Sequence, residues 1–223
     1  RLADEAVDLA ELILAREGTK SELWRASGDF DWKLRHATGV AKAGYVAEFV
    51  RLLLENDEPV VLFGWHRDVY AIWAERLADF NPAFYTGTES PNQKLASRDA
   101  FLNGDSRLLV MSLRAGSGLD GLQDVAHVAV FGELDWSPGM HDQCIGRLHR
   151  DGQAESVVAY FLVSDHGADP VMAEVLSLKR MQSEPLRDPD APLFEQTIDA
   201  GDRVRRLADD VMRRRRSTTK TVA

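Results

Sequence analysis

The sequence predicts an α/β fold in which an open parallel β-sheet is covered by helices on both faces. Short apolar runs alternate with amphipathic segments of helical length along the middle of the chain. Most of these runs are apolar throughout, which is typical of parallel strands that are buried on both faces. The chain has 223 residues and is 44% hydrophobic, so it has the length and the apolar side chains for a sizeable core.

The first 38 residues predict an N-terminal extension that is partly helical. Apolar residues recur at helical spacing over residues 1–17, and Gly18 is a stop signal for that helix. Residues 18–38 show no regular pattern and contain two tryptophans. We therefore predict a helical and irregular extension over residues 1–38, ahead of the alternating part of the chain.

Residues 39–167 give a regular series of predicted strands and helices. Ser137 followed by Pro138 marks one helix start, because serine favours the N-cap position and proline the first helical position. The apolar runs bounded by turn residues predict strands over 59–63, 83–85, 107–111, 126–131 and 156–163. The amphipathic segments predict helices over 44–55, 68–78, 91–102 and 138–148.

Residues 168–223 predict further helices at the C-terminal end. A helix is predicted to follow Gly167 and to continue to about residue 182, and a Pro-rich acidic stretch over 184–192 predicts a linker. A final helix is predicted over 198–214. The four arginines at 213–216 complement the negative end of that helix, so we expect a solvated helix terminus there rather than contact with nucleic acid.

Composition narrows the classes of function. The formal net charge of −9 argues against DNA binding by bulk electrostatics, although binding depends on where the charges sit. A single cysteine excludes an internal disulfide and fits a reducing cytoplasm. No apolar run approaches the roughly 18 residues of a membrane span, and no signal peptide opens the chain. We expect a cytoplasmic, nucleoid-associated location, no membrane partner and, from the start at Arg1, a segment of a longer protein.

The most specific feature is the string Gln-Cys-Ile-Gly-Arg-Leu-His-Arg-Asp-Gly-Gln at residues 143–153. On the predicted helix, Gln143, Arg147 and Arg150 fall at i, i+4 and i+7, so one face would carry all three side chains. Guanidinium groups match phosphate oxygens and keep their charge through a reaction, as an arginine finger must. For two arginines alone, a solvated basic face paired with nearby acids would be the simpler explanation.

A second feature is the glycine-rich turn Ser-Leu-Arg-Ala-Gly-Ser-Gly-Leu at residues 112–119, which follows an apolar strand. Gly116 and Gly118 permit tight backbone geometry and the close approach of a ligand or of another backbone. By itself this turn is a weak signal, because connections between strands and helices often contain glycine for geometric reasons.

Together these stretches resemble the Swi/Snf-type ATPases, the DNA-translocase branch of helicase superfamily 2. The string at 143–153 is similar to their last helicase motif, Gln-Ala-x-x-Arg-x-His-Arg-x-Gly-Gln, and departs from it at Cys144. Relatives commonly carry Asn or Thr soon after the Gly-Leu pair of the fifth motif, whereas this chain has Asp120, whose role stays open. The matching segments are 60–66 for the fourth motif, 85–87 for the region after it, 112–119 for the fifth motif, and 132–139, which looks most like annealing-helicase and bacterial members.

The resemblance implies a RecA-like, doubly wound lobe with flanking N- and C-terminal helices, the second of two such lobes. It implies ATP and Mg2+ as cofactors, held mainly by a first lobe, because no Gly-x-x-x-x-Gly-Lys-Ser/Thr loop occurs in this chain. The expected partners are duplex DNA and that N-terminal lobe of the same protein. The complete protein would be a DNA-dependent ATPase and translocase, whereas this chain alone would be inactive as an ATPase.

The resemblance also implies residue roles. The catalytic arginine fingers would be Arg147 and Arg150. The nucleotide-cleft residues would be Gln143, Gly116, Gly118 and Asp120, and the DNA-binding residues would be Arg114, Tyr85, Thr86, Gly87 and His66. No metal site is predicted, because His141, Cys144 and His149 lack the fourth ligand that structural zinc needs.

Two other functions stay open from the sequence. One is a non-catalytic protein-interaction module built on a helicase-like lobe, although such a module has no need of both arginines, the glutamine and the glycine turn. The other is a stand-alone nucleic-acid-binding domain, against which the negative net charge weighs.

Overall fold

A computed structural model of the chain describes residues 2–15, 19–115, 119–177 and 200–221. The strands are β1 (Val60–Gly64), β2 (Ala83–Tyr85), β3 (Leu108–Ser112), β4 (Val128–Phe131) and β5 (Val158–Phe161). The helices are α1 (Leu2–Ala15), α2 (Lys20–Glu55), α3 (Arg67–Arg76), α4 (Pro91–Leu102), α5 (Pro138–Ile145), α6 (described over 169–177) and α7 (Ala200–Thr221). The strands form one sheet in the order β2-β3-β1-β4-β5, and every neighbouring pair is parallel.

Helices cover both faces of this sheet, as the sequence predicts. In β1, Val60 and Leu62 lie on one face and Val61 and Phe63 on the other, and all four side chains are fully buried. The first face packs against α2 and α3, and the second packs against α4 and α5. Water is thus excluded from both faces of the central strands β1, β3 and β4, which are almost entirely apolar, whereas the edge strand β5 is partly exposed. The prediction of a doubly wound parallel sheet is confirmed.

The indole of Trp73 on α3 occupies the space beside the ends of two strands. Its ring is fully buried, and its Nε1 donates a hydrogen bond to the carbonyl oxygen of Ala43 at 3.2 Å. A Cβ atom added at Gly64 or at Gly132 would lie 2.6 or 2.5 Å from carbon atoms of this ring. The chain therefore needs glycine at both positions because the indole already fills the space that a side chain would take.

The helix α2 begins at Lys20, far earlier than the predicted start at residue 44. The prediction of an irregular segment over 18–38 is therefore wrong. Thr19 and Glu22 form a capping box in which the Thr19 amide donates to the Glu22 carboxylate at 2.8 Å and the Glu22 amide donates to Thr19 Oγ1 at 3.3 Å. The buried side chains that follow stand four residues apart, at Ala26, Phe30 and Leu34. Both signals are present in the sequence, but the two tryptophans beside them obscure the helical period.

The helix α5 ends at Ile145, so the prediction that it continues to residue 148 is wrong. Beyond Ile145, the amides of Arg147 and Leu148 donate to carbonyl oxygens three residues earlier, at 3.2 and 2.9 Å. Hydrogen bonds of this span tighten the chain into a turn. Consequently Gln143 lies on the helix whereas Arg147 and Arg150 lie beyond it, and the three residues do not share one helix face.

The chain divides into two units. One unit, Gly39–Val163, contains the sheet, and the other combines Arg1–Thr38 with Ser164–Ala223. Within this second unit the guanidinium of Arg215 on α7 contacts the carboxylate of Glu11 on α1 at 3.3 Å.

The C-terminal predictions are partly covered by the structure. The final helix is predicted over 198–214, and α7 spans Ala200–Thr221. The predicted linker at 184–192 and the predicted helix end near residue 182 lie outside the described residues. Over the described ranges, no helix combines the length and the apolar character that crossing a membrane requires.

Gly132→Ala is expected to lower the free energy of unfolding by about 1–3 kcal/mol, because a methyl group there overlaps the Trp73 ring in a close-packed core. Urea denaturation followed by tryptophan fluorescence measures the change. Gly87→Ala is the matched control, since a Cβ at Gly87 meets no described atom within 4 Å and should change the free energy by less than about 0.5 kcal/mol. An equal loss in both variants would contradict this packing explanation.

Candidate functional site

The candidate site lies along the carboxyl edge of the sheet. Because all strands are parallel, their carboxyl ends meet at one edge, and open α/β sheets bind ligands at that edge. The polar and aromatic residues that the fold gathers there are Trp65 and His66 after β1, Thr86 and Gly87 after β2, Arg114 after β3, and Glu133 and Asp135 after β4.

The carboxylate of Glu133 organises the end of β1. Its Oε2 accepts hydrogen bonds from the backbone amides of Trp65 at 2.7 Å and His66 at 2.9 Å, and its Oε1 lies 2.6 Å from His66 Nδ1. Both side chains of the Glu133–His66 pair are only 5% exposed. A Cβ atom at Gly39 of α2 would overlap Oε1, so the helix backbone approaches this carboxylate closely.

The surroundings keep Glu133 ionised although it is buried. Burial acts to raise the pKa of its carboxyl group. The hydrogen bond and charge interaction with His66, together with the two backbone amides, outweigh burial and hold the pKa below its ordinary value. Two backbone amides and the His66 ring therefore converge on a carboxylate that stays negative at neutral pH.

Asp135 is a second buried carboxylate and anchors the start of α5. Its Oδ1 accepts a hydrogen bond from the amide of Ser137 at 2.9 Å, and its own amide donates to Nε2 of the fully buried His141 at 3.1 Å. Ser137 takes the N-cap position as predicted, but its side chain makes no capping bond. The His141 ring packs edge-on against Phe131 at 5.0 Å and Phe161 at 5.3 Å, which ties α5 to the sheet.

Arg114 joins the end of β3 to the same carboxylate. Its Nη2 donates to Asp135 Oδ2 at 3.2 Å, and its guanidinium lies 4.7 Å from the centroid of the Trp65 ring. The Arg114 side chain is still 54% exposed. Side-chain contacts thus connect the ends of β1 and β3 with the start of α5, and the DNA-binding role of Arg114 stays a prediction.

Arg147 and Arg150 both contact the segment that follows β3. Arg147 Nη2 donates to the carbonyl oxygen of Ala115 at 2.6 Å. Arg150 Nη1 donates to the carboxylate of Asp120, and Arg150 Nε donates to the carbonyl oxygen of Gly146 at 2.9 Å. Arg147 therefore contacts the backbone at Ala115, and Arg150 contacts the side chain of Asp120, which is one of the predicted nucleotide-cleft residues.

The other predicted cleft residues are less constrained by the structure. Gln143 is exposed on α5. Gly116 and Gly118 lie outside the described residues. The roles assigned to these three residues stay predictions.

The turn after β2 satisfies its own polar groups. Thr86 is buried, and its amide and hydroxyl donate to the Glu89 carboxylate at 2.7 and 2.8 Å. Burial acts to raise the pKa of Glu89, but these hydrogen bonds outweigh it and hold the pKa below its ordinary value. Lys94 Nζ lies 5.4 Å from the Tyr85 ring centroid, and Gly87 is exposed. Of the predicted DNA contacts, Thr86 and His66 are the two whose side chains are buried in internal hydrogen bonds.

The thiol of Cys144 is part of the core on the second face of the sheet. Its Sγ lies 3.5 Å from the carbonyl oxygen of Leu113, and burial raises the pKa of the thiol to about 12. Within the described ranges no group of three or more His, Cys, Asp or Glu side chains is placed to hold a metal ion.

Sequence analysis assigned no role to Glu133 or Asp135, although both lie in the candidate site. Two acids that directly follow an apolar strand at the ligand edge of a parallel sheet would have been the available signal. Their partners could not be predicted from the sequence, because Trp65, His66 and Arg114 are distant from the two acids in the chain.

Comparison with known proteins gives a family match and several relatives. Residues 42–152 match the family described as the helicase conserved C-terminal domain. The chain is 30% identical over 147 residues to the human DNA annealing helicase and endonuclease ZRANB3, covering 64% of this chain and 13% of that protein. It is 30% identical over 204 residues to the probable ATP-dependent DNA helicase CHR12 of Arabidopsis thaliana, covering 91% of this chain and 17% of that protein.

A solved structure agrees with the fold. The Sulfolobus solfataricus SWI2/SNF2 ATPase core domain superposes with a TM-score of 0.63 at 18% sequence identity, covering 89% of this chain and 47% of that one. At this identity the likeness supports the fold alone. The chain spans less than a fifth of the length of the two curated relatives and about half of this ATPase core.

Glu133→Gln is expected to lower the free energy of unfolding by about 1–3 kcal/mol near neutral pH, because an amide cannot accept hydrogen bonds at both of its heavy atoms. The difference from wild type should shrink in acid. A carboxylate with a lowered folded-state pKa stabilises above its unfolded pKa, and this contribution disappears as pH falls through the folded-state value. Urea unfolding of both proteins from about pH 7 to about pH 3 measures the difference.

The control for this charge change is Glu155→Gln, because Glu155 is exposed in the same unit. It should alter the free energy of unfolding by less than about 0.5 kcal/mol at any pH. If Glu133→Gln lowers the free energy of unfolding by the same amount at every pH down to about 3, the carboxylate charge is not what stabilises the end of β1.

Cys144 should react slowly with thiol reagents in the folded protein, because its thiol is 2% exposed and its pKa is raised to about 12. Labelling with a chromogenic disulfide reagent at neutral pH is expected to reach one thiol per chain rapidly in denaturant and slowly without it. Rapid labelling of the native protein would contradict the buried position.

Proposed function

The chain belongs to the helicase conserved C-terminal domain family, as the C-terminal lobe of a Swi/Snf-type ATPase, and from this premise we propose that the full-length protein is a DNA-dependent ATPase and DNA translocase. This lobe would supply Arg147 and Arg150 to ATP held mainly by a first lobe. The observation that carries the proposal is the placement of both guanidinium groups on one turn beside the segment that follows β3.

The proposed cofactors are ATP and Mg2+, and the residues of this chain fit one part of such a site. Arg147 and Arg150 are permanent cations with the planar donor geometry that matches phosphate oxygens. In the described part of the chain no group of three or more His, Cys, Asp or Glu side chains is placed to hold a metal ion. We therefore assign Mg2+ and the cradle for the β- and γ-phosphates to the first lobe, and the neutralisation of charge on the γ-phosphoryl group to this lobe.

The contacts at the carboxyl edge suggest how DNA would influence the arginine turn, the turn after α5 that carries Arg147 and Arg150. Asp135 fixes the start of α5, whose far end leads into Arg147, and Asp135 also binds Arg114 beside the Trp65 ring. A DNA strand that displaced Arg114 would remove one of the contacts of this carboxylate. In this proposal, DNA binding and the position of the arginine turn are coupled through α5.

Duplex DNA is the proposed polynucleotide partner. The net charge of −9 means that DNA contact would depend on a local group of side chains and backbone amides. The proposed contacts are Arg114, Tyr85 and Gly87, which lie at the carboxyl edge of the sheet. The DNA-binding roles of Thr86 and His66 stay predictions, as does a cytoplasmic, nucleoid-associated location. The N-terminal lobe of the same protein is the proposed second partner.

Arg150→Ala in the full-length protein is expected to lower DNA-stimulated ATP hydrolysis by roughly a thousandfold, because an arginine finger neutralises charge that develops on the transferred phosphoryl group. Arg147→Ala should have a comparable effect. Steady-state hydrolysis with and without duplex DNA measures both variants. The isolated chain should show no hydrolysis, since it lacks a phosphate-binding loop.

The matched control is Arg107→Ala, which removes an exposed arginine from the opposite edge of the sheet, where it pairs with Asp57. That variant should keep the wild-type rate within about twofold, as expected for a surface ion pair. If the rate of ATP hydrolysis by the full-length protein changes neither with DNA nor with Arg150→Ala, the result would instead favour a non-catalytic interaction module. DNA-stimulated hydrolysis by the isolated chain would also contradict the proposal.

A further inference from the structure

We propose that Asp120 is a positioning residue that holds Arg150 within its own lobe until ATP replaces the carboxylate. The inference rests on the proposed function, because it assumes that Arg150 contacts ATP. It adds a residue that sets how readily ATP can bind the side chain of Arg150.

The geometry shows Arg150 engaged from two sides. Its Nη1 donates to the Asp120 carboxylate, and its Nε donates to the carbonyl oxygen of Gly146, four residues earlier, at 2.9 Å. The second bond folds the side chain back over its own turn. Arg150 is 44% exposed and Asp120 is 81% exposed, so an incoming ligand can reach both groups.

The backbone beside Asp120 is also constrained. Gly121 adopts a φ of 93°, a left-handed conformation that favours glycine, and its amide donates to Gln123 Oε1 at 3.2 Å. A 3-10 turn over Leu122–Asp124 follows directly, with Leu122 fully buried. The carboxylate of Asp120 is therefore presented from a turn that is anchored to the core.

The partner that Arg150 would exchange for ATP is a carboxylate. Through its contact with Asp120, Arg150 faces a full negative charge. A carboxylate offers a guanidinium the same kind of oxygen acceptor as a phosphate does. Asp120 and the γ-phosphate would thus compete for Arg150, and the apparent affinity for ATP falls by the fraction of molecules in which Arg150 is free.

The size of this effect follows from the exposure of the pair. Exposed ion pairs are weak, so Arg150 should leave Asp120 in an appreciable fraction of molecules. Removing the competing charge should therefore tighten ATP binding by about two- to fivefold. Asp120→Asn removes the charge and keeps the shape of the side chain.

The experiment measures equilibrium binding of a fluorescent, non-hydrolysable ATP analogue with Mg2+ to the full-length protein. The wild type is compared with Asp120→Asn, Arg150→Gln and the double variant. Asp120→Asn should bind about two- to fivefold more tightly, and it should have no effect when Arg150 is already Gln. In steady-state hydrolysis the KM for ATP should fall by the same factor, whereas loss of a direct catalytic contact would lower kcat.

The control for a simple change in local charge is Asp151→Asn, because Asp151 is an exposed acid next to Arg150 in the chain. Tighter binding in this control, or in Asp120→Asn combined with Arg150→Gln, would overturn the inference in favour of general electrostatics. Weaker binding by Asp120→Asn would overturn it by showing that Asp120 itself contacts the nucleotide.

Two further outcomes separate this inference from the proposed function. If the wild type binds the analogue and hydrolyses ATP with DNA stimulation, and Asp120→Asn does not change the affinity for the analogue, only the role of Asp120 is overturned. Wild-type protein that does not bind the analogue overturns the proposed function and this inference with it.

Discussion

The ionised carboxylate of Glu133 is the interaction on which the carboxyl edge of the sheet depends. It accepts the two backbone amides that leave β1 and the ring of His66, and α2 approaches it at Gly39 with no room for a side chain. The ends of β1 and β4 and the middle of α2 are thereby held at one buried charge. Such a charge is tolerated only where its hydrogen-bonding capacity is satisfied, so the geometry around it has little freedom.

The second acid, Asp135, extends this arrangement from the sheet to the arginine turn. It stands two residues after Glu133, and it fixes the start of α5 through Ser137 and His141 while holding Arg114. A helix whose first turn is anchored in this way places its last turn with little variation. The position of the chain at Arg147 is therefore set by buried polar contacts at the opposite end of α5 and by the packing of Cys144.

Much of the fold could be predicted from the sequence because the sheet is buried on both faces. Runs such as 60–63 and 108–111 are apolar in every position, which leaves few alternatives to a parallel strand. The early start of α2 was not predicted, although the Thr19–Glu22 capping box is a local signal. The pairing of Glu133 with His66, 67 residues apart, has no local signal at all, because it arises only when β1 and β4 become neighbours. The arginine motif was recognised by its pattern, but its geometry was not, because bonds between residues three apart rather than four end α5 at Ile145.

In the proposed function, the contacts of the arginines give a physical reason for a second lobe. Each guanidinium is satisfied inside the lobe, Arg147 by a backbone carbonyl and Arg150 by a carboxylate and a carbonyl. Phosphate must therefore offer them more than these internal acceptors do. A triphosphate positioned by a second lobe and carrying its own metal ion can meet that requirement, whereas ATP free in solution would first have to lose its translational freedom. The proposed second lobe is thus supported by the internal contacts of the arginines as well as by the lack of a phosphate-binding loop in this chain.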